Sequence, residues 1–269
     1  MLVDTTMANQ TPSSGPGGRK AKRSGGRRNR GARRRPATDL TTGVRSDGGL
    51  AIVELGGQVL HTAPAGVTSS LRYLLTRLQL NDPDAIPRRL AITSALHGEG
   101  VSYIARSLAA VMAHDLEHMV CVVDMNWWSG GRNDPTSLGM ADVVLRGHAP
   151  DEVLVETVTE NLWFMPAGTV ELAGRPAVAK DPRLASALDE LEQRFDHLIL
   201  DLPAVLATSD AIALARFADA YALVVRYGVT TQAQVMSALD ELAGMPTIGL
   251  IVNRSESSIP SVVRRLLGI

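Results

Sequence analysis

Between Arg89 and Val252 the chain repeats one rhythm, a short apolar run followed by a longer stretch of helical period. The apolar runs lie at 89–94, 119–124, 162–165, 197–201, 220–225 and 247–252. The run at 119–124 is apolar throughout its middle (Val120, Cys121, Val122, Val123) and does not alternate, which is the pattern of a parallel strand covered on both faces. The intervening segments at 102–114, 138–146, 181–195, 209–217 and 230–242 carry apolar residues three and four apart, as helices do. Gly147 stands as a C-cap, and Asp181-Pro182 places an acid and a first-turn proline at a helix start. Six strands alternating with helices predict an α/β chain, a doubly wound and mostly parallel sheet with flanking helices. Ahead of it, residues 68–80 predict an amphipathic helix through Leu71, Leu74, Leu75 and Leu78, and 50–66 a short strand with an irregular crossing. Residues 259–267 predict a short end helix.

The charge is divided as sharply as the pattern. The formal net charge is −1, but residues 1–45 hold eleven Lys and Arg against Asp4 and Asp39. Ten of these basic residues fall between Arg19 and Arg35, in a segment rich in Gly, Pro and Ser with almost nothing to bury. Such a composition predicts disorder. Two segments follow: a basic tail over 1–46 and one α/β domain over 47–269. The tail has no aromatic residue to stack on a base, which argues against sequence-specific reading of nucleic acid. A solvated tail, a contact with anionic lipid or an acidic partner, and non-specific nucleic-acid contact all remain open. The single cysteine, Cys121, excludes an internal disulfide and reads as a core thiol. No apolar run approaches the roughly 18–20 residues that span a bilayer, and the start of the chain lacks the apolar stretch of a secretory signal. The expected location is cytoplasmic, including the inner face of the cell membrane.

Ligands of doubly wound sheets bind outside the carboxyl ends of the strands. Residues 92–103, Ile-Thr-Ser-Ala-Leu-His-Gly-Glu-Gly-Val-Ser-Tyr, read as a strand end, a glycine turn and a helix start. This is the layout of a phosphate-binding P-loop, G-x-x-x-x-G-K-[ST], whose backbone N–H groups and helix N-terminus face the phosphates. In the frame from Ala95 to Ser102, Gly98, Gly100 and Ser102 are in place, and Val101 stands at the lysine position. A hydroxyl at Ser102 is where a Mg²⁺ ligand belongs. Asp124 and Asp201, each closing an apolar run, stand where acids hold a metal or orient a nucleophile. Arg106, one turn past Ser102, reads as a rim arginine before it reads as a substitute cation. Trp127 and Trp128 either cover the site, form a subunit contact or pack locally. His97 reads as a loop residue, and His114 with His118 as surface residues at a helix end.

These residues resemble the bacterial tyrosine kinases of capsule and exopolysaccharide assembly, which are P-loop ATPases of the MinD and ParA type. The similarity runs through residues 65–254. Ser94-Ala-Leu-His-Gly-Glu-Gly-Val-Ser-Tyr103 resembles the family's Walker A motif, and Val120-Cys-Val-Val-Asp-Met-Asn126 its second aspartate motif. The segments 138–147 and 161–168 resemble its Gly-Leu-…-Leu-x-Gly and Asn-Leu-…-Pro-x-Gly segments. Phe195-Asp-His-Leu-Ile-Leu-Asp-Leu-Pro203 resembles its Walker B strand, followed by Ser209-Asp-Ala211, and Gly249-Leu-Ile-Val-Asn253 the strand whose asparagine lies near the nucleotide base. The resemblance implies ATP or ADP at Gly98, Glu99, Gly100, Val101, Ser102, Tyr103 and Asn253. It also implies Mg²⁺ at Ser102, Asp124 and Asp201, and catalysis by Asp124 and Asp201.

Departures from the family accompany the matches. Val101 replaces lysine, Asn126 the second acid and Ala204 the second proline. The family's oligomer-forming Glu-x-x-Arg-x-x-Arg appears as Ser69, Arg72 and Leu75. The family's C-terminal tyrosine cluster has no counterpart, the last tyrosine being Tyr227. Loss of one charge-assisted hydrogen bond, about 1.5–3 kcal/mol, weakens ATP binding about 10–100-fold. Three functions stay open. One is a pseudo-enzyme that acts as scaffold or regulator beside a membrane polysaccharide co-polymerase, in a self- or hetero-oligomer. The second is a weakly active ATPase or tyrosine kinase, and the third a MinD/ParA-like positioning factor anchored by its basic tail.

Overall fold

The structure, a computed structural model, describes residues 49–53, 59–80, 82, 85–128, 138–157 and 159–254. The basic tail over 1–46 and the end helix expected over 259–267 lie outside the described residues. The chain enters through an antiparallel hairpin, β1 (Leu50–Val53) and β2 (Val59–Ala63), with Leu50 opposite Ala63. This replaces the single strand and irregular crossing expected there. Helix α1 (Ala65–Gln79) follows, starting three residues before the expected position, with Leu71, Leu74 and Leu75 buried.

The alternating core is β3 (Arg89–Ser94), α2 (Val101–Asp115), β4 (Val120–Asp124), α3 (Met140–Arg146), α4 (Pro150–Val153), β5 (Val155–Glu156), β6 (Leu162–Met165), α5 (Arg175–Val178), α6 (Pro182–Arg194), β7 (His197–Asp201), α7 (Asp210–Ala215), β8 (Ala220–Arg226), α8 (Gln232–Glu241) and β9 (Thr247–Asn253). The sheet order is β5-β6-β4-β7-β3-β8-β9. Every pair is parallel except β5 with β6. The six expected strands are therefore joined by a seventh, a two-residue antiparallel edge strand. After β3 the chain first builds toward β4 and later returns to place β8 on the other side of β3. The reversal puts the carboxyl end of β3 at the topological switch point, where this architecture binds ligands.

Strands β4 and β7 are buried at every residue because both faces of the sheet are covered. On one face Ile92, Val122, Ile199, Val224 and Ile251 pack with α1 and α2. On the other, Cys121, Val123, Leu198, Leu200 and Leu223 pack with α3, α6, α7 and α8. Helix α2 lies between the sheet and α1, so ten of its fifteen residues are buried. Helix α6 has one buried stripe, Leu184, Ala187, Leu188 and Leu191, and Asp181 caps it by accepting the Arg183 N–H at 2.9 Å. Gly147 closes α3 in the left-handed conformation at φ 74°. Burying side chains of this size contributes about 1.5–3 kcal/mol each.

Candidate functional site

The turn between β3 and α2 sits at the switch point, and its shape depends on its glycines. Gly98 has φ 80° and Gly100 has φ 99°, a region that L-residues adopt at a cost. Gly100 meets a second restriction. A Cβ there would fall inside the van der Waals envelope of Asn253 Nδ2 at the end of β9. That amide donates to the Glu99 carbonyl at 2.8 Å. The Glu99 carboxylate, 1 % exposed, accepts the Leu96 N–H at 3.0 Å and the Thr230 hydroxyl proton from the segment leading into α8. On the opposite side, Val205 N donates to the Ser94 carbonyl at 2.8 Å and Leu206 N to the Ala95 carbonyl at 3.2 Å. Thr93 Oγ1 donates to the Pro203 carbonyl at 2.7 Å. The turn is held by the protein on both flanks, in the form a phosphate-binding loop needs.

Several side chains of the expected nucleotide set turn toward the protein itself. Val101, 8 % exposed, belongs to the apolar cluster beneath α1 and α2, so its contribution to the loop mouth is its backbone. Tyr103 is half-buried and meets the His61 ring edge-on at 4.5 Å. Burial pushes its phenol pKa up, the Ser107 hydroxyl opposing. His61 Nε2 lies 2.7 Å from Ser107 Oγ, tying the hairpin to α2. Asn253, expected near a base, and the Glu99 carboxylate brace the loop. His97 is exposed in the turn. What the loop presents outward is backbone at 98–102 and the half-buried Ser102.

The two acids come together as expected. Asp124 and Asp201 are register partners across β4 and β7, 4 % and 0 % exposed. Side chains alternate along a strand, and Val122 and Ile199 lie on the α2 face. Asp124 and Asp201, two residues further on, share that face. Asp124 Oδ1 accepts the Asn126 N–H at 2.9 Å, so the asparagine in place of the second acid bends the strand end back through its backbone.

Arg106 sits at the core rim and turns toward an acid. It lies four residues after Ser102 and therefore on the same side of α2. Its Nη2 stands 3.6 Å from Asp124 Oδ2, with 17 % of the side chain exposed, and its guanidinium lies over the Phe164 ring of β6 at 4.9 Å. Opposite charges at such a separation attract by about 4 kcal/mol at the effective dielectric of a protein rim. Sequence reasoning missed Phe164 and Thr230. Thr230 belongs to no motif and Phe164 only to the 161–168 segment, which does not point to this acid; both reach the site through the sheet order.

Oxygen donors of the Ser102, Asp124 and Asp201 kind suit a hard cation such as Mg²⁺. The residues around them do not fit one, because a metal on Asp124 would face the Arg106 guanidinium. Among the described residues, no group of three or more His, Cys, Asp and Glu is placed to hold a metal. His114 Nδ1 lies 2.8 Å from Asp115 Oδ1, while His118 stacks on His197 at 4.9 Å.

The tryptophans pack locally. Trp127 is buried and donates its indole N–H to the Ala167 carbonyl at 2.8 Å, and Trp128 lies under the Arg175 guanidinium at 4.5 Å. The Asp142 carboxylate accepts the Gly139 N–H at 2.8 Å and pairs with Arg146, fixing the start of α3 against 166–168. In α1, Arg72 is engaged within the chain, its Nε and Nη2 donating to Asp115 at 2.5 and 3.0 Å, and Leu75 is core.

No protein-family model matches the chain. It is 29 % identical over 189 residues to the succinoglycan biosynthesis transport protein ExoP of Rhizobium meliloti, 63 % of this chain and 22 % of that protein. The chain spans about a quarter of the length of several curated relatives it matches. Among solved structures, the BceF tyrosine kinase domain superposes with a TM-score of 0.62 at 30 % identity, covering 70 % of this chain and 77 % of that one. The cell division ATPase MinD of Pyrococcus furiosus shares the fold at a TM-score of 0.52 and 21 % identity, over 68 % and 79 %. With the glycine turn, the paired strand-end acids and this sheet order in place, the chain belongs to the bacterial tyrosine-kinase family.

Proposed function

We propose that this is a kinase-like P-loop protein of exopolysaccharide or capsule assembly that no longer transfers phosphoryl groups and works as a scaffold or regulator. Its partner in this reading is a membrane polysaccharide co-polymerase. One observation carries the loss of chemistry. The residue at the lysine position, Val101, is packed into the core beneath α2, so no side-chain cation rises from the loop toward the β- and γ-phosphates. Phosphoryl transfer depends on positioning and on charge stabilisation where negative charge develops. A loop with backbone donors and one hydroxyl but no cation supports recognition of a phosphate better than its transfer. ATP or ADP is the ligand this reading assigns to the turn. No helix among the described residues is long and apolar enough to cross a membrane. The reading places the protein at the inner face of the membrane through its partner and its basic tail, which suits anionic lipid or an acidic surface.

The decisive experiment follows label from γ-phosphate-labelled ATP in the full-length protein, measuring free phosphate and phosphotyrosine together. The expected outcome is no turnover above that of the Asp124→Ala variant. Turnover that Asp124→Ala abolishes would instead establish the second reading, a weakly active ATPase or tyrosine kinase. The in-register Asp124 and Asp201 favour that reading.

A further inference from the structure

The strand-end acids and the cation beside them form a corner of their own, displaced from the glycine turn toward β6. Asp124 and Asp201 bring two carboxylates side by side on the α2 face. Proteins offset such a pair with a metal ion, a proton or a positively charged side chain. Here the side chain is present. Arg106 reaches Asp124 from α2 at 3.6 Å, its guanidinium is backed by the Phe164 ring, and its Nε is buried with no hydrogen-bond partner among the described residues. An aromatic face on one side and a carboxylate on the other are the surroundings that suit a guanidinium.

We propose that Arg106 is a resident counter-ion that occupies the cation position beside Asp124, so that this corner excludes divalent metal and the loop takes its phosphate ligand without Mg²⁺. The inference rests on reading the Asp124–Asp201 corner as an inherited phosphate-transfer site, and it names what determines that site's metal specificity. Arg106 acts through Asp124 as a positioning and specificity residue. It touches no reacting atom. Its charge sits where a hard cation would coordinate, and a second positive centre on the same carboxylate oxygens would meet it with repulsion and little intervening water. Helix α2 makes the arrangement rigid, since Arg106 lies between the buried Ala105 and Ser107.

The test uses Mn²⁺ alone, with no nucleotide and no partner, and reads bound metal by electron paramagnetic resonance on the full chain. Wild type is expected to show no Mn²⁺ binding that Asp124→Asn removes. Arg106→Gln, which keeps a planar polar group over Phe164 without its charge, is expected to bind Mn²⁺ about tenfold more tightly or better, and Arg106→Gln with Asp124→Asn to lose it again. Arg106→Met serves as a second neutral variant should the glutamine variant fold poorly, with melting temperature as the control. Two results overturn the proposal: Asp124-dependent Mn²⁺ binding by wild type, or no gain in folded Arg106 variants. Neither depends on ATP turnover, so failure here is distinguishable from failure of the kinase-like reading, which the labelled-ATP experiment reports.

Discussion

Replacing Gly100 by alanine probes the loop at the point where two constraints coincide. The backbone there has φ 99° and ψ 27°, and an L-residue in the left-handed region loses about 1–2 kcal/mol. The new methyl also lands on Asn253 Nδ2, and moving that amide breaks its 2.8 Å bond to the Glu99 carbonyl. Both residues are buried, so the orphaned carbonyl adds about 1–3 kcal/mol. Gly100→Ala should therefore destabilise the protein by about 2–5 kcal/mol, read as a shift in the urea midpoint at constant slope. A double-mutant cycle separates the two parts. In an Asn253→Ala background the methyl meets open space, and Gly100→Ala should then cost the backbone strain alone, a coupling of about 1 kcal/mol or more. A cost below about 1 kcal/mol, or strict additivity in the cycle, would refute the idea that Asn253 braces the turn.

Acid sensitivity should come in part from His197, whose pKa is lowered by burial, with the Pro87 carbonyl at 2.9 Å and Asp196 opposing, and the stacked His118 and Arg88 adding to the shift. The unfolded imidazole binds its proton more readily than the folded one. Stability is then complete above the unfolded value near 6.5 and declines as pH falls below it toward the folded pKa. Urea titrations of wild type and His197→Gln across pH 5–8 should show a flatter acid limb in the variant, and an unchanged limb would count against the assignment. The Arg72–Asp115 pair joins α1 to α2 at a partly exposed position. Its coupling in a double-mutant cycle should be about 1 kcal/mol or less and shrink with added salt. A larger, salt-insensitive coupling would contradict the surface character given to it.

Much of this architecture was legible because its elements are local. The strands β3, β6 and β7 begin and end at their expected residues: each is an apolar run stopped by a loop, a proline or an acid. What stayed hidden depends on partners far along the chain. Strand β5 has two residues, Val155 and Glu156, too few to show a period, and exists only by pairing with β6. The hairpin before α1 likewise needs β1 and β2 to be known together. At the site, Gly98, Gly100 and the acids at strand ends were readable from motif and rhythm. The Asn253–Glu99 bond spans 154 positions, and no pattern announces it. Arg106 reads as a rim residue, and sequence shows only its turn of the helix. Sequence does not show that the docking of α2 over β4 and β6 aims that turn at Asp124 and Phe164.

The absence of a loop cation is most directly tested by calorimetric titration of ATP into wild type and Val101→Lys. The lysine stem can follow the apolar surface that valine covers while its ammonium reaches water at the first turn of α2. One restored charge-assisted bond contributes about 1.5–3 kcal/mol, so ATP affinity should rise by about 10–100-fold, with the melting temperature confirming that the variant is folded. An affinity unchanged in a folded Val101→Lys protein would contradict the claim that this position is what the loop lacks.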